Sequence, residues 1–138
     1  MITLIVGRKG SGKTKKLIER ANEAIEKSNG NVVVIEKGLK LTYDISHQAR
    51  LIDSDAYGIL GTDALCGFIS GICAGNYDVT DIFVDSTLKI IGQDMKALVQ
   101  LTEKLNTLSS LADTKITLLI SADQSELPKE IDSFTEQI

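Results

Sequence analysis

Short apolar runs alternate with amphipathic stretches along this chain, and that alternation already implies a fold class. Residues 2–6 are mostly apolar and β-branched, the pattern of a strand buried on both faces. After a glycine-rich turn, Leu17, Ile18, Ala21, Ala24 and Ile25 recur at helical spacing, and Asn29-Gly30 supplies a left-handed stop. Residues 32–35 read as a second buried strand. Residues 38–60 are less regular: Thr42, Ile45, Ala49, Leu51 and Ile52 fit either a hairpin or a short extra strand.

A further helix begins near Thr62-Asp63, with Leu65, Phe68, Ile69, Ile72 and Cys73 on one face. Gly67, Gly71 and Gly75 form a smooth strip on it, expected to pack closely against a sheet or a neighbouring helix. Residues 81–84 make a short buried strand that ends in Asp85. The spacing of Leu88, Ile91, Met95, Leu98, Leu101, Leu105 and Leu108 predicts one long helix over 87–111. Residues 116–120 form the fourth clear strand, and 129–137 suit a last helix. Strands alternating with helices predict an α/β protein, a three-layer α/β/α sandwich around a mostly parallel sheet.

The chain has 138 residues, enough for one domain, 1–138, with no repeat or linker. With 43% hydrophobic and 25% charged residues, its composition is that of a globular protein. Aromatic residues make up 4% and tryptophan is missing, which counts against stacking platforms for single-stranded nucleic acid. A net charge of −4 and a pI near 5.0 count against a basic nucleic-acid or membrane surface. The first apolar run precedes its positive charges, the reverse of a signal peptide, and no run approaches a membrane span. Cys66 and Cys73 are too far apart along one helix for a disulfide, and His47 is the sole histidine. Reduced structural thiols and a cytoplasmic location are the expectation.

The most specific signal is Gly7-Arg8-Lys9-Gly10-Ser11-Gly12-Lys13-Thr14, between a buried strand and an amphipathic helix. It matches G-x-x-x-x-G-K-[ST], the loop that cradles phosphates. Its glycines let backbone N–H groups turn inward as an anion nest, and the helix behind it points its positive end at the same place. Lys13 is expected to reach the β- and γ-phosphates, and Thr14 to place its hydroxyl on Mg²⁺. Such a loop needs a carboxylate at the tip of another buried strand to hold the metal, and Asp85 fits.

On these residues the chain resembles a P-loop NTPase, and within that superfamily the RecA-like division. The narrower resemblance rests on three places. Asp85 is followed by Ser86, Glu36 ends the strand after the phosphate-loop helix, and Ser121-Ala122-Asp123-Gln124 follows the fourth strand. The resemblance implies that Glu36 orients the attacking water and that Gln124 senses the γ-phosphate, with Ser121 or Asp123 as alternatives. It also implies a strand order of 5-1-4-3-2, although a fifth strand is missing from the sequence pattern or very short. An arginine from a neighbouring subunit or protein partner would complete the site, with Arg50 the most available donor.

Three functions follow as expectations. One is Mg²⁺-dependent, slow hydrolysis of ATP, with Lys13, Glu36 and Gln124 as catalytic residues. ATP is favoured over GTP because no guanine signature occurs. A second is a nucleotide-binding regulatory or assembly module with negligible turnover. A third is a small-molecule phosphotransferase similar to thymidine-kinase cores, with Tyr43, Asp44, His47 and Arg50 around the acceptor.

Overall fold

The computed structural model describes residues 1–41 and 44–138; Thr42 and Tyr43 lie outside the described residues. Six strands form one sheet: β1 (Ile2–Gly7), β2 (Asn31–Glu36), β3 (Arg50–Asp53), β4 (Val79–Val84), β5 (Lys115–Ser121) and β6 (Thr135–Gln137). All neighbours pair in parallel, in the order β3-β2-β4-β5-β1-β6. Among the described residues four α-helices complete the architecture: α1 (Lys13–Lys27), α2 (Thr62–Gly75), α3 (Thr87–Ile91) and α4 (Met95–Ala112). The protein is thus an α/β fold with an all-parallel sheet between helical layers.

The period of two along each strand sorts its side chains into two cores. Ile5, Val32, Val34, Phe83 and Leu119 face one way and meet Leu17 and Ala21 of α1, with Leu41 and Ile45 filling the margin. Leu4, Val6, Ile35, Ile82, Val84 and Leu118 face the other way. They meet Leu65 and Ile69 of α2, Leu88 and Ile90 of α3, and Leu98, Leu101 and Leu105 of α4. Because both faces are covered, the central strands carry apolar residues at successive positions instead of alternating with polar ones.

Setting β3 aside, the order β6-β1-β5-β4-β2 is the one the resemblance implies, with a three-residue β6 as the very short fifth strand. Residues 38–60 contribute a short extra strand rather than a hairpin, since β3 runs parallel to β2 at the sheet edge.

Four expectations need correction. Asn29-Gly30 is not a left-handed stop: α1 ends at Lys27, Ser28 is extended, and neither Asn29 nor Gly30 has a positive φ. The single helix over 87–111 is two helices. Gly92 adopts φ 93°, and Asp94 then caps α4 by accepting the Lys96 N–H at 2.9 Å. Residues 129–137 form a 3-10 segment, Lys129–Phe134, and then β6. The Gly67, Gly71 and Gly75 strip packs against none of the described residues: each faces outward, and a Cβ added there would meet no described atom within 4 Å. Among the described residues, no helix is long and apolar enough to cross a membrane.

Candidate phosphate site at the strand ends

β1 delivers the chain to Gly7, and the next five residues turn it into α1. Gly10 and Gly12 sit at φ 85° and 96°, in the left-handed region that costs a side-chain-bearing residue about 1–2 kcal/mol. Gly7 is needed for a different reason: a Cβ there would lie 2.4 Å from Ser11 Oγ. The turn is fixed by the Ser11 N–H donating to Arg8 O at 3.0 Å, and α1 opens with Lys16 N–H on Gly12 O at 3.1 Å. Among the described residues no side chain caps α1, so its first-turn amides and the positive end of its dipole face the loop. Five of the fifteen cations fall between residues 8 and 16 with no acid in that stretch, and two of them are paired from elsewhere in the chain, Arg8 with Asp123 and Lys16 with Glu136.

Lys13 is buried, and its ammonium donates to Arg8 O at 3.0 Å. Burial pulls its pKa below the ordinary lysine range, while the nearby Asp85 carboxylate pulls the other way. Lys13 and Asp85, 72 positions apart in the chain, are therefore brought within electrostatic reach at the ends of β1 and β4. The Asp85 N–H donates to Ile35 O at 2.8 Å, and Asp85 Oδ1 accepts the Ser86 N–H at 2.8 Å. Ser86 itself is left-handed at φ 58°, a strained conformation immediately after the carboxylate. Thr14 is exposed at the second position of α1.

Glu36 joins the same group, though not as a solvated strand-end acid. It is 1% exposed. Its Oε1 accepts the N–H groups of Lys40 and of Leu41, the latter at 3.1 Å. Burial raises its pKa above the usual carboxylate range; those two N–H donors oppose the shift, and the charge of Asp85 adds to it.

The residues after β5 separate. Ser121 lies beside Gly7 in the sheet register, and the Ala122 N–H donates to Gly7 O at 3.2 Å. Asp123 holds Arg8 of the glycine-rich loop at 2.5 Å, which lowers the Asp123 pKa and raises that of Arg8. Gln124 turns its amide towards the C-terminal segment, donating to Thr135 Oγ1 at 2.9 Å and to Asp132 Oδ1 at 3.4 Å. Its Oε1 is buried and finds no partner among the described residues.

The described acceptor-site candidates of 38–60, Asp44, His47 and Arg50, are not gathered at the loop. Asp44 O and the Ser46 N–H are held by Asn22, so Asp44 and His47 line a groove along the C-terminal half of α1. Asn22 is roughly 13 Å along the helix axis from Lys13 at 1.5 Å per residue. Arg50 starts β3 opposite Val33, at the far end of the strand from Asp53. Tyr43 lies outside the described residues.

The sequence reading missed the Arg8–Asp123 link, the left-handed Ser86 and the part played by Asp53, which ends β3 opposite Glu36. An aspartate directly after a short apolar run was the available sign of the last. A cleft of about 850 Å³ opens at the opposite end of the sheet, between Thr3, Arg20, Thr80, Phe83, Lys115 and Thr117, and contains none of these groups.

No protein-family model matches the chain, and no curated protein sequence matches it.

Proposed function

We propose that this protein is a P-loop nucleotide-binding protein of RecA-like type that binds ATP with Mg²⁺ and hydrolyses it slowly. The observation that carries this reading is the glycine turn of residues 7–14 at an uncapped helix start, with Lys13 within electrostatic reach of the strand-end carboxylate Asp85. Gly7, Arg8, Lys9, Gly10, Ser11, Gly12, Lys13 and Thr14 form the binding loop. Backbone amides hold the phosphates, and Lys13 leaves Arg8 O for the β- and γ-phosphate oxygens.

The donor set suits magnesium. Hard oxygens of Thr14 and Asp85 would hold it, and no group of three acidic, histidine or cysteine side chains forms a cage among the described residues. Mg²⁺ characteristically keeps waters and substrate phosphates in its shell and takes only one or two protein ligands. When bound, it neutralises charge on the β- and γ-phosphates. Glu36, its Oε1 fixed by two amides, orients the attacking water through its other oxygen. The Gln124 geometry makes Ser121, beside Gly7, the better candidate for contact with the γ-phosphate.

A second reading is a nucleotide-switched module with negligible turnover. Arg8 is engaged by Asp123, so stabilising the transferred charge falls to Lys13 or to an arginine from a neighbouring copy or partner. Phosphate release by wild type, Glu36→Gln and Lys13→Ala separates the two. Hydrolysis predicts release that both substitutions reduce at least ~100-fold. ATP binding without release above background, at any protein concentration, leaves the module reading.

A further inference from the structure

β3 is the strand that the five-strand plan does not need, and its last residue is tied to the loop that holds Glu36. Asp53 stands opposite Glu36 in the register. Its Oδ1 accepts two backbone N–H groups, from Gly38 at 2.8 Å and from Asp55 at 2.9 Å. It thereby joins the turn that follows β2 to the turn that follows β3. Lys37 adds an outer tie to Asp55 Oδ1 at 2.5 Å. Gly38 is left-handed at φ 93°, so the chain reverses there, and Lys40 and Leu41 come back to donate to Glu36 Oε1.

We infer that Asp53 is a positioning residue for Glu36: by fixing Gly38 it sets the turn whose Lys40 and Leu41 amides orient the Glu36 carboxylate. This rests on the hydrolytic reading of the site. A water-orienting carboxylate needs one oxygen fixed so that the other presents its lone pairs in one direction. Glu36 meets that need, since Oε1 takes both donors and no described residue donates to Oε2. Without Asp53, the Gly38 N–H has only water to bond, the turn loosens, and the carboxylate gains rotational freedom. Nucleotide affinity is expected to be untouched, because Asp53 makes no hydrogen bond or ion pair with a residue of the phosphate loop.

The test has two readouts on Asp53→Ala and Asp53→Asn. Asparagine keeps a side-chain oxygen that accepts both N–H groups, whereas alanine keeps none. The first readout is amide hydrogen exchange at Lys40 and Leu41 without nucleotide, and the second is steady-state ATP hydrolysis. Asp53→Ala is expected to speed exchange at both amides by about ten-fold or more and to lower kcat by about ten-fold or more, with KM within about two-fold. Asp53→Asn is expected to restore most of both. Lys40→Pro removes one donor without altering β3 and is expected to lower kcat alike, which keeps the test open if the alanine variant fails to fold. Unchanged exchange in Asp53→Ala overturns the inference, as does a kcat equal to wild type or a loss confined to KM. If wild type binds ATP but releases no phosphate, the hydrolytic reading fails, and the exchange result alone decides whether Asp53 positions Glu36.

Discussion

Replacing Glu36 by alanine removes a buried side chain whose Oε1 satisfies two backbone N–H groups. The buried Leu41 N–H left unpaired costs about 1–3 kcal/mol, whereas the part-buried Lys40 N–H can turn to water. A net loss of about 1–3 kcal/mol is expected, and at roughly 3–5 °C per kcal/mol for a chain of this size Tm falls by roughly 3–15 °C. Glu36→Gln keeps an acceptor oxygen at the same place and is expected to lose less than half as much. The two variants also differ in pH dependence. The Glu36 pKa is raised in the fold above its ordinary 4.5, so its contribution to stability is whole below that value and is lost as pH rises through the raised one. Wild type should therefore lose stability relative to Glu36→Gln as pH is raised from 4 to 8. Urea denaturation of the three proteins across that range is the assay. An alanine variant within 0.5 kcal/mol of wild type, of the order expected for a surface change, would refute the buried, loop-anchoring role.

Other outcomes follow from single features. Lys13→Met is expected to raise the Tm of the nucleotide-free protein while abolishing ATP binding. The Lys13 pKa is lowered in the fold, so its contribution is present above the ordinary 10.5 and lost as pH falls through the folded value, and its charge is a burden at neutral pH. Ser86→Gly relieves a left-handed serine at φ 58° and is expected to stabilise by about 0.5–1 kcal/mol in thermal unfolding; a loss would show that the serine side chain compensates the strain. Gly71→Ala on α2, where a Cβ meets nothing, is expected to gain about 0.5–1 kcal/mol by the same measurement. Asp94→Ala removes the cap of α4 and is expected to cost about 1 kcal/mol in urea unfolding.

Much of the fold was legible because apolar runs bounded by glycine or polar residues admit few alternatives. The strands at 2–6, 32–35, 81–84 and 116–120 all lie within structural strands, since each is buried on both faces. The failures share a cause: the signal was tertiary. Periodicity continues across Gly92 because α3 and α4 both turn apolar residues to the same core, so only the backbone angle of one glycine reveals the break. β6 is three residues held by pairing with β1, too short for any pattern to show. Small residues at four-residue spacing read as a packing surface, yet the strip on α2 faces outward. At the site, the loop and Asp85 were recognisable because residue type and strand position coincide there. Glu36 was found by position, but its burial and its two amide donors depend on how residues 37–41 fold back. Gln124 was chosen by its place after a strand, whereas its amide is engaged by Thr135 and Asp132.

The central claim, that residues 7–14 bind nucleotide phosphates through Lys13, is tested most directly by calorimetric titration of ATP with Mg²⁺ into wild type and Lys13→Ala. The account predicts one site per chain in wild type and an affinity loss of at least ~10-fold in the variant, the worth of a charge-assisted hydrogen bond. Equal affinity in the two proteins, or no binding by wild type, would contradict it.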